Sequence, residues 1–178
     1  MTKVERRMFA AGAVHNFVFA IDASGHAPAA AALKLVKEGM WDEDPEAVEE
    51  GLPSDAQISS FNKIYSDLRY FAKHGVPPKR ANIVNKLRHG IWEYKEVEKR
   101  FSFYDSDGRG GYIERDWHST REESDHPDAY WWDLPTFARE IRLGHCFGKP
   151  LAQRKTPEDD IEHTCRIREE DLAHDRVA

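Results

Sequence analysis

The chain has 178 residues, of which 40% are hydrophobic and 33% charged, with a formal net charge of −6 and two cysteines. A chain of that length buries about 70% of its unfolded surface in one core, and the composition excludes collagen-like, low-complexity and disulfide-scaffold classes. No apolar run approaches the ~20 residues of a membrane span; Lys34 already interrupts Ala29 to Val36.

One soluble domain over residues 1–178 is therefore expected, with no membrane partner. With Cys146 and Cys165 as its only thiols, both reduced, the expected location is cytoplasmic. Lys3, Arg6 and Arg7 precede a fairly apolar stretch from Met8 to Ile21, as in a secretory signal. His15, Asn16 and Asp22 spoil that pattern, which reads instead as an N-terminal strand. The acids are segregated: residues 38–55 hold eight acids and no base, residues 113–140 hold eight acids against three bases, and the remainder carries +7. This describes a basic body with acidic insertions at about 40–55 and 113–140, able to meet phosphate on one face.

Val14 to Ile21 reads as a strand that stops at a turn. Pro28 opens a short alanine-rich helix that ends at Gly39, and the acidic stretch Trp41 to Pro53 is a linker. Ser54 and Gln57 have capping-box spacing, and Ile58, Phe61, Ile64, Tyr65, Leu68 and Phe71 predict a helix to about Lys73. Pro77-Pro78 is read as opening a shorter helix through Ile83, Val84 and Leu87 to Gly90.

Ile91 to Val97 and Lys99 to Tyr104 read as an antiparallel pair with a tight connection near Glu98. Phe101 and Phe103 would face a core, leaving Arg100, Ser102 and Tyr104 on the other side. Asp105 to Gly111 is a turn, Ile141 to Phe147 a further strand, and Thr156-Pro157-Glu158-Asp159 the start of a last helix with Thr156 as N-cap.

Asp105, Asp107 and Gly110 partly imitate a calcium loop, but Arg109 occupies a ligand position, so a hairpin turn is the better reading. His163 and Cys165, two apart on a helix, point about 200° from each other and cannot chelate one zinc together; no metal or other cofactor is expected. The segment His145-Cys-Phe-Gly-Lys149 to Arg154-Lys155-Thr156-Pro157 places a histidine and three cations between a strand end and a helix N-terminus, a candidate anion site.

Four segments together resemble the RelE/HigB toxin superfamily, nearest its phage-derived HigB-type branch. They are Lys86-Leu-Arg-His-Gly-Ile-Trp-Glu-Tyr-Lys95, Lys99-Arg-Phe-Ser-Phe-Tyr104, His145-Cys-Phe-Gly-Lys149 and Thr156-Pro-Glu-Asp-Asp-Ile161, in that order. The resemblance implies an α+β fold of RelE/ParE type: an antiparallel twisted sheet, N-terminal helices on one face, a C-terminal helix, and a basic concavity on the open face. The family commonly has a lysine pair after the strand phenylalanine, where this chain has Gly148-Lys149, and the acidic insertions have no family counterpart.

The activity implied is that of a type II toxin, a metal-independent endoribonuclease cutting mRNA on the ribosome and silenced by a cognate antitoxin with a helix-turn-helix domain. By that resemblance Arg100 would stabilise the transition state, Lys149 and Lys95 would hold phosphate, His145 would act as acid or base, Tyr104 would stack a base, and Arg154 and Lys155 would bind RNA. The alternative is a prophage-derived, non-catalytic binding protein on the same fold, with the aromatic segment 130–137 as its docking patch.

Overall fold

The computed structural model describes residues 4–47, 51–79, 83–116 and 133–177. Seven strands and three helices follow in the order β1 (Met8–Ala11), β2 (Asn16–Phe19), α1 (Pro28–Glu38), α2 (Asp55–His74), β3 (Val84–Lys86), β4 (Trp92–Glu96), β5 (Lys99–Ser106), β6 (Tyr112–Ile113), β7 (Glu140–Gly148) and α3 (Glu158–Arg176). The fold class is α+β. Most of the second acidic insertion, with Trp117, Tyr130, Trp131 and Trp132, lies outside the described residues.

The sheet runs β1-β2-β7-β5-β4-β3, with β6 paired to the end of β5. It is mixed, not purely antiparallel as the resemblance implied, because β2 and β7 run parallel from Asn16↔Glu140 to Phe19↔Leu143. Joining two parallel neighbours requires a crossover; here it comprises α1, α2 and the β3 to β6 meander.

Helix α1 starts at Pro28 in its first turn and stops at Gly39, whose φ of 72° ends the helix as glycine commonly does. It buries Ala29, Ala30, Leu33 and Val36. Helix α2 is capped by Ser54, whose hydroxyl accepts from the Gln57 amide at 3.4 Å. The Gln57 side chain does not close the capping box. It turns instead to Trp41, accepting from its N–H at 2.9 Å and donating to its carbonyl at 2.8 Å. The acidic linker is thereby pinned to the helix start: Trp41 is buried, and Asp44 forms an ion pair with buried Lys99 at 2.9 Å.

The predicted helix from Pro78 to Gly90 is corrected. Residues 84–86 form β3, pairing Val84↔Tyr94 and Lys86↔Trp92, and residues 80–82 lie outside the described set. A three-residue strand is too short for periodicity to distinguish from a helix turn, and pairing with β4 decides it.

Two cores result. Phe17, Leu33, Ile64, Leu68, Phe71, Trp92, Phe101 and Phe103 pack between the sheet and α1 with α2. On the opposite face Ala20, Ile91, Tyr104, Ile167 and Leu172 pack under α3. The architecture is three layers, so the face expected to be open is in large part covered.

Candidate functional site

Alternation along β5 puts Arg100, Ser102 and Tyr104 on the α3 side, and strand register extends each into a row. Lys95, Arg100 and Phe147 form one row, and Glu93 stands opposite Ser102 in the next. A bulge in β7 opposite Ser102 accommodates Gly144 and His145; the His145 N–H donates to the Ser102 hydroxyl at 2.9 Å. Tyr104 pairs with Arg142 in the third row.

Helix α3 closes over the last two rows. Ser102 lies 2.8 Å from the Thr164 hydroxyl, and Tyr104 donates to Asp171 at 2.6 Å. Asp171 also accepts from Arg142 at 2.6 Å, from Arg6 at 2.6 Å and from the Ile21 amide at 3.0 Å. Burial, followed by Asp171, pushes the Tyr104 hydroxyl well above its ordinary pKa. Tyr104 is 0% exposed. The expectation that its ring is a base-stacking platform is therefore corrected: the phenol faces α3, and its oxygen serves a buried polar network.

An open groove of about 590 Å³ is lined by Asn85, Lys86, Arg88, Glu93, Lys149, Arg154, Lys155 and Thr156, together with Leu87 and with Ile161 of α3. Lys149, Arg154 and Lys155 thus share one groove with Glu93, as the sequence suggested for the three cations; Lys95 and Arg100 do not line it but interact electrostatically with its Glu93 and Lys149. The groove also contains groups that pattern reading passed over. Glu93 accepts from Thr156 at 3.0 Å and from Asn85 at 3.3 Å. Thr156 is consequently not the N-cap of α3; that position is Pro157, with no side-chain cap bond. Arg88 is ion-paired with Glu158 at the helix start.

The electrostatics describe three cations around Glu93, with Glu98 also acting on Arg100. Burial lowers the Lys95 pKa, and repulsion from Arg100 and Lys149 lowers it further against the pull of Glu93. Burial also lowers Lys149 and Arg100, again opposed by Glu93. Crowded, partly dehydrated cations gain more from an added anion than solvated ones do. Arg100 is 6% exposed and anchored: one terminal nitrogen donates to the carbonyls of Val97 at 2.7 Å and Lys99 at 3.0 Å. Its Nε is buried without a hydrogen-bond partner among the described residues. An unsatisfied charged donor is uncommon, since it forgoes bonds worth about 1.5–3 kcal/mol.

His145 stands one row from this cluster, between β7 and the first turn of α3. Its Nε2 is 3.1 Å from Asp160, and its ring lies 4.3 Å from the ring of His163. Burial lowers its pKa; the Asp160 hydrogen bond opposes that and His163 adds to it. The Asp160 carboxylate orients the imidazole.

The calcium-loop imitation resolves into a turn in which Asp107 accepts from the amides of Arg109 at 2.7 Å and Gly111 at 2.9 Å. Asp105 is occupied by the Ala138 amide and Arg115. Among the described residues, the acids close enough to share an ion are Asp44, Glu46 and Glu98. Asp44 there is already bound to Lys99 and Gln57. Both cysteines are free thiols.

No family model matches this chain, and no curated protein resembles it significantly in sequence. No described helix is long and apolar enough to cross a membrane.

Proposed function

We propose that the chain is a RelE/HigB-type toxin, an endoribonuclease that binds mRNA on the ribosome through the groove beside β4 and β5. The reading rests on the clustering of Lys95, Arg100 and Lys149 around Glu93, with the buried Arg100 Nε unpartnered. A phosphodiester supplies the charge and acceptors that such a cluster lacks.

Cleavage needs a base to take the 2′-hydroxyl proton, cations to hold charge on the phosphorus oxygens, and an acid to protonate the leaving 5′-oxygen. In this reading Arg100, Lys95 and Lys149 take the second task. His145, oriented by Asp160, takes an acid or base role, and Arg154 and Lys155 hold flanking phosphates. A cognate antitoxin belongs to the same proposal.

The second reading, a non-catalytic prophage-derived binding protein, is favoured by the burial of Tyr104 and the tie of His145 to Asp160. Induced expression separates the two. The toxin reading expects growth arrest with transcript cleavage, both lost in Lys149→Ala, and RNA binding that weakens by about 0.7 log unit per phosphate contact for each tenfold rise in salt. Arrest without cleavage supports the binder, and salt-independent binding overturns the nucleic-acid reading.

A further inference from the structure

At the far end of the sheet, β1 pairs with β2 alone among the described residues, so its outer edge keeps free backbone donors and acceptors. Beside its end lies a groove of about 530 Å³ lined by Ala11 and Gly12 and, from α2, by Tyr65, Ser66, Arg69, Tyr70, Lys73 and His74. The strand end packs directly on the helix backbone: a Cβ at Gly12 would lie 2.2 Å from the Ala72 carbonyl carbon. Tyr65 and Tyr70 are 39% and 42% exposed, with the Arg69 guanidinium 5.6 Å from the Tyr65 ring and Tyr70 against His74 at 4.3 Å.

Exposed tyrosines among cations make a typical recognition surface. Lys73 and His74 stand against the negative end of α2, which accounts for them locally. Arg69 lies more than a turn from the helix end and has no acidic partner among the described residues, in a protein whose net charge is −6.

We infer that this groove docks an extended acidic segment of a partner protein, which adds a strand to the free edge of β1 and sets its carboxylates against Arg69 and Lys73. Main-chain pairing supplies affinity in such complexes, and the side-chain pockets supply selection. The site is separate from the cation groove, at the other end of the sheet, and does not depend on the ribonuclease reading.

The test uses the whole protein and a labelled heptapeptide of alternating glutamate and valine, followed by fluorescence anisotropy. The acidic peptide is expected to bind. Its affinity should fall about tenfold or more in the Arg69→Ala/Lys73→Ala double variant, in line with loss of anchoring cations, and comparably when the peptide's pairing amides are N-methylated. Both substituted side chains are exposed, and circular dichroism verifies the fold. Any of four results overturns the proposal: no binding, equal binding of a lysine–valine peptide, affinity indifferent to either change, or equal competition by a single-stranded RNA.

Discussion

Tyr104 and Asp171 are 67 positions apart in the chain and 2.6 Å apart in space, with the phenol donating to Oδ2. That contact ties the middle of the sheet to α3 and removes Tyr104 from any surface role. Asp171 is also the shared acceptor for Arg6 and Arg142, so α3, β7 and the N-terminal arm meet at one buried carboxylate.

Burial alone would raise the Asp171 pKa, but Arg142, Tyr104 and Arg6 outweigh it and hold the group below its ordinary range. A carboxylate depressed in the folded state contributes stability that is present above its unfolded pKa and is lost as pH falls through the folded value. Thermal melts should accordingly lose stability on acidification below about pH 4. In Asp171→Ala that acid-dependent component should shrink, while neutral-pH stability falls by about 1–3 kcal/mol because the Tyr104 hydroxyl and the Ile21 amide lose their buried acceptor, although Arg142 keeps Asp175 and Glu140. An unchanged melt at pH 7 would show that the network contributes nothing.

Arg100→Ala should abolish RNA cleavage and also cost stability. Removing one charge-stabilising donor lowers rate by about 10²–10³. The guanidinium also ties down the carbonyl of Val97, a β-branched residue held at a φ of 52° in the β4–β5 turn. Loss of charged hydrogen bonds there predicts a cost of about 1–3 kcal/mol. Alternation puts Arg100 opposite the Phe101 and Phe103 face, but its burial there is why the substitution costs stability. Paired denaturant titrations of parent and variant check the figure.

The acidic stretch from Trp41 to Pro53 reads as a linker, yet its Asp44 is structural, being 5% exposed and the ion-pair partner of Lys99, itself 1% exposed. Asp44→Ala should destabilise the protein by about 3–5 kcal/mol by leaving a buried ammonium unpaired. Glu46→Ala, at an exposed position, should change stability by less than about 0.5 kcal/mol. Comparable chemical-denaturation midpoints for the two variants would refute the distinction.

Asp160 opposes the burial that lowers the His145 pKa, so Asp160→Asn should lower it further. An NMR titration of the imidazole should show its midpoint moving to lower pH. If His145 must be neutral for cleavage, the acidic limb of the pH–rate profile should move the same way. A shift to higher pH would mean that the Asp160 contact does not favour the charged ring.

Local chemistry was sufficient for the elements whose signals are local. Pro28 and Gly39 bound α1, Ser54 opens α2, Gly75 at a φ of 79° closes it, and Phe101 and Phe103 point toward the helices as their alternation requires. The convergence of Lys149, Arg154 and Lys155 on one groove was also legible, because all three lie on one short connection. Glu93 and Asn85 were not, since their place in that groove depends on β3 pairing with β4.

What only the tertiary structure decided is the fate of the face carrying Ser102, Tyr104 and Arg142. Read locally, a serine, a tyrosine and an arginine belong in water, and α3 shows only a weak apolar stripe because it buries Thr164, Arg168 and Asp171 beside Ile161, Ile167 and Leu172. Polar groups enter an interior when each finds its partner there. These partners lie far apart in the chain, Arg6 and Asp171 by 165 positions and Tyr104 and Asp171 by 67, and no window of neighbouring residues contains both halves of such a pair.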